Sequence, residues 1–309
     1  MSESSKHSRT PKEYARLFGT GLAMGAADIV PGVSGGTMAF IMGIYEELIN
    51  AIKSFNVKLA QLLFQGKIKA VFDHIPWQFL IVLFTGVGLA IISLANGIEW
   101  MLSNQRELLF SFFFGLIVAS IIAVGAKIRW SVLTGIMLSV GAVVAFIIVN
   151  LIPQDMPNDP ITLFFSGMIA IMAMILPGIS GSFLLLILGQ YDFVLESVAS
   201  FNLIAIIPVG LGSIVGLMGF SRVLSWLLRN YEQATVATLV GFMIGSLWEI
   251  WPWKEVLQTG LDRHGEVVTL IDRNILPNFA TGAFWLALGL AVIGFVLVTV
   301  IDRQQARSA

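Results

Sequence analysis

The sequence predicts an all-α polytopic integral membrane protein made of two inverted-topology repeats, each a Pro/Gly-broken, re-entrant helical hairpin followed by three transmembrane helices. Three observations predict it: composition, duplication of one kinked segment, and the sidedness of lysine and arginine. Hydrophobic residues make up 57% of the chain and charged residues 12%, with a mean hydropathy of +0.86, whereas a soluble domain carries about 25% charged residues. Residues 31–56 read PGVSGGTMAFIMGIYEELINAIKSFN and residues 177–202 read PGISGSFLLLILGQYDFVLESVASFN, 146 positions on and without a gap. Ten of the 26 positions are identical, among them Gly43/Gly189 and Tyr45/Tyr191.

Residues 1–16 form a basic tail with Lys6, Arg9, Lys12 and Arg16, and no apolar stretch with a small-residue cleavage site follows, so no removable signal peptide is expected. The first repeat covers 17–150: a hairpin at about 17–52 and spans at about 77–102, 108–125 and 131–150. The second covers 161–301: a hairpin at about 161–198 and spans at about 203–228, 235–250 and 280–301. Runs such as Phe79–Ala95 and Val132–Val149 are long and nearly uncharged, as crossing roughly 30 Å of hydrocarbon by a helix requires. A β-barrel is excluded, because its strands would alternate polar and apolar residues. The whole chain, 1–309, is one membrane domain, and the mixed stretch 251–279 is expected to be a loop or short amphipathic piece.

Later positions keep a weaker repeat at a spacing of 126: Trp100, Asn104, Gly115 and Ser120 align with Trp226, Asn230, Gly241 and Ser246. The loop after the first hairpin is therefore 20 residues longer than its counterpart. A half that crosses the membrane an odd number of times inverts the half that follows it. With the N-terminus inside, thirteen lysines and arginines fall on inside segments and only Arg106, Lys254, Arg263 and Arg273 outside, the asymmetry that cytoplasmic loops show. Both termini are then cytoplasmic. Hairpins that cross fully as two segments give the same sidedness, so both readings stay open.

Cysteine is absent, which removes disulfides, thiolate metal sites and cysteine nucleophiles. His7, His74 and His264 fall in polar stretches, so neither a metal site nor any other cofactor site is expected. The net charge of −1 carries no nucleic-acid signal.

The hairpin tips carry the chemistry. Pro31 and Pro177 break their helices, since proline removes a backbone hydrogen bond and clashes with the preceding turn. Irregular backbone at membrane depth persists only when buried in protein or lining a wet cavity. Beyond each tip a new helix is expected near Thr37 or Phe183, its free N–H groups and positive dipole end facing inward, a favourable place for an anion. Gly32, Ser34, Gly35, Gly36 and Thr37 at one tip, and Gly178, Ser180, Gly181 and Ser182 at the other, would hold a phosphate-sized group between the halves. Glycine and serine permitting close helix packing is the alternative.

Charges inside apolar segments add three candidates, because they are costly there. Arg222 lies about six residues, roughly 9 Å, inside its span; it pairs with a lipid phosphate or snorkels to the interface. Asp28 precedes the first tip, while its repeat partner is Met174. A carboxylate beside a phosphate must be protonated or paired, which points to proton or sodium coupling, with loop capping as the alternative. Glu46, aligned with Asp192, is a second coupling candidate or an interfacial residue; Glu99 and Glu249 are expected to face water.

The run ADIVPGVSGGTMAFIMGIYEELI with its echo PGISGSFLLLILGQY resembles the bacterial polyprenyl-phosphate transporter family over nearly the whole chain. The resemblance implies return of undecaprenyl phosphate, the carrier lipid of cell-envelope synthesis, from the outer to the inner leaflet of the bacterial plasma membrane. It places Asp28, Pro31, Gly32, Ser34, Gly35, Gly36 and Thr37 in the principal motif, and Pro177, Gly178, Ser180, Gly181 and Ser182 in its second copy. The partners it implies are the lipid-linked phosphate and membrane lipids, with a coupling proton or sodium; monomer and homodimer are both open. Two rivals remain. Integral-membrane undecaprenyl-pyrophosphate phosphatases share PG-x-S tips, but carry an arginine where this chain has Gly35 and Gly181. An ion-coupled carrier of a small soluble anion would use the same helix ends.

Overall fold

A computed structural model describes residues 9–30, 32–151, 154, 156–261 and 267–308. The first half comprises α1 (Pro11–Ile29), α2 (Gly35–Ile41), α3 (Tyr45–Lys53), α4 (Val57–Phe64), α5 (Ile68–His74), α6 (Trp77–Asn104), α7 (Arg106–Gly125) and α8 (Val132–Val149). The second comprises α9 (Pro160–Ile175), α10 (Gly181–Ile187), α11 (Tyr191–Ala199), α12 (Leu203–Asn230) and α13 (Glu232–Ser246). A two-stranded antiparallel ribbon follows, β1 (Lys254–Leu261) and β2 (Val267–Asn274), and then α14 (Gly282–Ser308). Among the described residues five helices, α6, α7, α8, α12 and α14, are long and apolar enough to cross a bilayer. The protein is an all-α polytopic membrane protein.

Local chemistry sets the helix limits. Thr10 and Glu13 form a reciprocal capping box at the start of α1, with Pro11 in its first turn. Asp159 does the same work for α9, accepting from the amides of Ile161 and Thr162 at 2.9 and 3.1 Å. Both helices stop one residue before a proline, where Val30 and Leu176 take extended backbone. The return arms break a second time, at Gly43 (φ 74°) and Gly189 (φ 64°), whose left-handed conformation closes the preceding helix. At the second break α10 and α11 diverge by 112°.

Equivalent positions of the two halves make equivalent contacts. Asn104 donates to the Trp100 carbonyl at 2.9 Å, and Asn230 to the Trp226 carbonyl at 2.8 Å. α1 packs along α6 and α9 along α12, with Gly21 and Gly86 at one crossing and Gly167 and Gly212 at the other. A methyl at any of the four would run into a backbone carbonyl of the facing helix. The last helices are exchanged between halves, α7 lying on α14 and α8 on α13. Gly115, Gly294, Gly141 and Gly241 let these backbones approach, as small residues do where lipid supplies no hydrophobic drive between helices. Side chains such as Ile92, Val132, Ile136, Ile207, Ile214 and Ile293 point outward, which suits a lipid solvent.

We expect Gly212→Ala, whose new methyl meets the Phe164 carbonyl, to cost about 1–3 kcal/mol by overpacking. Gly210 in the same helix has open space around it, so Gly210→Ala should leave the melting midpoint of the detergent-solubilised protein unchanged while Gly212→Ala lowers it.

Three features depart from the sequence expectation. The 20-residue excess in the first half folds into α4 and α5 rather than remaining a loop. The stretch 251–279 contains the β-ribbon, because Val256 and Leu257 in one strand and the run Val267–Ile271 in the other favour extended pairing. The helices after the tips begin at Gly35 and Gly181, two residues earlier than expected; Ser34 caps the first by accepting from Gly36 N–H, and Ser180 holds the N-cap position of the second without a side-chain cap bond.

Candidate functional site

The two tips meet. The buried amide of Gly178 donates to Thr37 Oγ1 at 2.8 Å, and Thr37 is wholly inaccessible. Ser34 Oγ donates to the Met174 carbonyl at 3.3 Å and the Tyr45 hydroxyl to the Ile175 carbonyl at 3.0 Å. Residues of the first tip thus satisfy the carbonyls that α9 leaves open at its C-terminus. Close approach requires Gly36: a Cβ there would lie 2.8 and 2.9 Å from the carbonyl oxygens of Ile175 and Met174. Gly32 (φ 80°) and Gly178 (φ 89°) turn the chain in the left-handed region. Pro177 is buried beside this turn; Pro31 lies outside the described residues.

The tips are chemically unequal. At the first, Gly35 N–H donates to Asp28 Oδ1 at 2.6 Å and Gly36 N–H to Ser34 Oγ at 3.1 Å, while the Thr37 and Met38 amides reach the Ser34 carbonyl. Its amides are therefore taken, unlike the open row the sequence suggested, because the Asp28 carboxyl group caps the helix start from within. At the second tip Met174 stands where Asp28 would be. Ser180 Oγ lies 2.8 Å from Ser182 Oγ, and among the described residues no acceptor meets the amides of Gly181, Ser182 and Phe183. Burial differs as well: Gly35–Ala39 are enclosed, whereas Ser182 is exposed and Phe183–Leu185 are half-buried. α2 packs mainly on α1 and also touches α7 and α9, while α3 packs on α12, so the first hairpin reaches across to the other half. The second packs on α9 and α12 of its own half.

One wall backs both tips. A Cβ on Gly178 would meet the Phe242 carbonyl and Ser246 Oγ at 2.9 Å, and one on Gly32 would meet Glu249 Cγ at 3.0 Å. Glu249, expected to face water, instead lies against the first tip and pairs with Lys254 at 3.4 Å. The Lys254 side chain is only 6% exposed, and beside it the Trp253 indole N–H donates to the Glu107 carboxylate. Sequence reasoning passed over Lys254 because it opens a stretch of mixed charge; no local signal marks it as buried. Beyond Ser246 and Ile250 an apolar groove of about 670 Å³ runs between α8 and the end of α13, lined by Phe114, Phe146, Leu247, Trp248, Trp251 and Leu276.

The other sequence candidates stand apart from the tips. Arg222 is in α12, with its NH1 donating to the Met218 carbonyl. Glu46 is exposed on the first turn of α3, where the adjacent Glu47 pairs with Arg9. His74 ends α5 and lies 3.3 Å from Asn56 Oδ1; His7 and His264 lie outside the described residues. Among the described residues no group of three His, Cys, Asp or Glu side chains is placed to hold a metal ion.

The profile of the undecaprenyl phosphate translocase-like family matches residues 24–268, which include both tips and the wall behind them. The chain belongs to that family. Among relatives of this translocase-like chain, the polyprenyl-phosphate transporter of Vibrio cholerae serotype O1 (strain ATCC 39315 / El Tor Inaba N16961) is 42% identical over 297 residues, covering 94% of this chain and 96% of the relative. The polyprenyl-phosphate transporter of Staphylococcus aureus (strain NCTC 8325 / PS 47) is 33% identical over 255 residues, covering 75% and 84%. No solved structure matches the translocase-like chain.

Proposed function

We propose that this protein is a polyprenyl-phosphate transporter that carries undecaprenyl phosphate between the leaflets of the bacterial plasma membrane, with both termini cytoplasmic. The observation that carries the reading is the junction of the two tips at Thr37 and Gly178, in a chain whose relatives are named for that transport. Unaided, a phosphate head must shed its water to cross hydrocarbon, at a cost far beyond thermal energy. A polar path shared by two hairpins replaces that water. The second tip is its more open part, where the Ser180 and Ser182 hydroxyls and the amides of Gly181 and Ser182 receive the head. Ser34, Gly36 and Thr37 close the opposite wall, and the groove beside Trp248 and Trp251 seats part of the prenyl tail.

The two halves act as inverted repeats, and rocking one against the other presents the head to each leaflet in turn. Asp28 gives a route for coupling. While ionised it occupies the Gly35 amide and repels an incoming phosphate; a proton or sodium ion on it removes that repulsion. Glu46 is the second candidate for coupling. A hydrolytic role is disfavoured: Gly35 and Gly181 follow the tip serines, and neither serine stands beside a base.

The test is leaflet-to-leaflet movement of a fluorescent polyprenyl phosphate in proteoliposomes, read by an impermeant quencher. The native protein should move the lipid without releasing inorganic phosphate, and Ser180→Ala/Ser182→Ala should slow movement at least ten-fold. Phosphate release would establish the phosphatase alternative, and uptake of soluble phosphate without lipid movement the small-anion carrier.

A further inference from the structure

A second cationic cluster lies away from the tips, where α3 packs on α12. Lys53 Nζ is 3.2 Å from Ser225 Oγ, and Ser225 Oγ is 3.4 Å from Asn50 Oδ1. Arg229 Nε donates to the Ser225 carbonyl at 3.2 Å. Arg222, about two turns earlier in α12, spends NH1 on the Met218 carbonyl, and the charges of Arg229 and Arg222 both act on the Lys53 ammonium. Among the described residues no carboxylate pairs with any of the three. A guanidinium has five N–H donors and an ammonium three, so most of the donors here remain unspent.

The orientation of Arg222 argues against simple snorkelling. α12 ends at Asn230, eight residues on, or about 12 Å along the axis at 1.5 Å per residue. A side chain reaching for that end would extend toward it, whereas Arg222 reaches back to Met218, deeper in the span. The three positive charges, Arg229 exposed and Lys53 and Arg222 half-buried, repel one another, and an anion shared among them relieves that repulsion. A phosphate monoester carries about −1.5 to −2 charge at neutral pH and fits three cations better than a singly charged diester.

The cluster has no counterpart at the opposite end of the molecule. At the two repeat spacings Lys53 corresponds to Ala199, Arg222 to Asn96 and Arg229 to Ser103, while Asn50 and Ser225 correspond to Glu196 and Glu99. One end offers three cations and the other two carboxylates. The charge distribution that places both termini inside puts the cationic end at the cytoplasmic leaflet.

We infer that Lys53, Arg222 and Arg229, with Ser225 and Asn50, form a second seat for a phosphate monoester, at which the head rests on the cytoplasmic side after leaving the tips. This rests on the transport reading for its substrate and goes beyond it in separating Arg222 from the tip site and in giving the head a second resting place on the cytoplasmic side. α3 leads from the tips to the seat: Tyr45 at its start bonds the Ile175 carbonyl beside the tips, and Lys53 ends it about 12 Å further along the axis.

The experiment is calorimetric titration of the full chain in detergent micelles with farnesyl phosphate, alongside the proteoliposome assay. Native protein should show two sites. Lys53→Gln/Arg229→Gln should retain the one that Ser180→Ala/Ser182→Ala removes, lose the other, and slow lipid movement at least ten-fold in both directions. Lys53→Arg, which keeps the charge, should restore the second site and so exclude general misfolding. Displacement from the seat by millimolar inorganic phosphate would identify a site open to free phosphate as well as lipid; failure of phosphate to displace would identify one reserved for lipid monoesters. Equal displacement by phosphatidylglycerol would overturn the monoester assignment, and unchanged two-site binding in Lys53→Gln/Arg229→Gln would overturn the seat. Lipid movement with that unchanged binding leaves the transport reading standing, whereas a seat that binds in a protein that moves no lipid leaves only the seat.

Discussion

Gly36→Val should abolish lipid movement in proteoliposomes while leaving a membrane-inserted, purifiable protein. The first atom of any side chain at that position would lie 2.8 Å from the Ile175 carbonyl oxygen and 2.9 Å from that of Met174, both backbone atoms that cannot swing aside. Valine adds two more carbons, so α2 must withdraw from the end of α9. That withdrawal lengthens the Ser34–Met174 and Tyr45–Ile175 hydrogen bonds together with the Thr37–Gly178 junction. Each lost contact costs about 0.5–1.5 kcal/mol, and a buried group left unpaired about 1–3 kcal/mol; a transport rate sensitive to the same few kcal/mol falls more than 100-fold. Gly88 lies in open space on α6, so Gly88→Val at a site of equal residue type should keep near-native rates. Native rates in Gly36→Val would show that the tips need not touch for transport.

The second large effect is expected at the wall behind the first tip. Glu249→Ala removes the carboxylate that lies 3.4 Å from the Lys254 ammonium, whose side chain is 6% exposed. Removing one partner of a buried ion pair typically costs about 3–5 kcal/mol, whereas replacing both with apolar groups is often close to neutral. The melting midpoint of the detergent-solubilised protein should therefore drop sharply in Glu249→Ala and recover most of that drop in Glu249→Ala/Lys254→Met. Additive losses in the double variant would show that the pair is not a coupled unit. Because Glu249 Cγ lies against Gly32, loss of the pair should also loosen the tip, and lipid movement should fall along with stability.

The break points were legible because their causes are local. Proline at 31 and 177 stops a helix whatever surrounds it, and a serine three residues on marks the N-cap position, filled by a side-chain bond at Ser34. Five of the six expected spans were legible to within a few residues, since a run such as Val132–Val149 has no other stable solvent than lipid; the sixth, expected at 235–250, is the 15-residue α13. Arg222 drew attention by its charge, but its neighbours did not: Lys53 is 169 positions away and follows an ordinary interfacial pattern. Lys254 was missed for the same reason, because its burial depends on α13 and the tip arriving together. Asp28 stood out against Met174, yet only the position of Gly35 showed that its carboxylate caps the first helix start.

By itself, then, the sequence determined that the protein lives in a bilayer, where its helices begin and break, and that one kinked segment is used twice; each follows from hydropathy, proline and glycine acting over a few residues. Only the tertiary structure decided that the tips touch, that the first is capped from within while the second stays open, that α7 and α8 pair with helices of the other half, and that three cations gather on one seam. Apart from the Asp28–Gly35 cap, which spans seven positions, those outcomes depend on atoms about 100 or more positions apart meeting at packing, hydrogen-bond or Coulombic range, and no short stretch of chain carries a trace of that meeting.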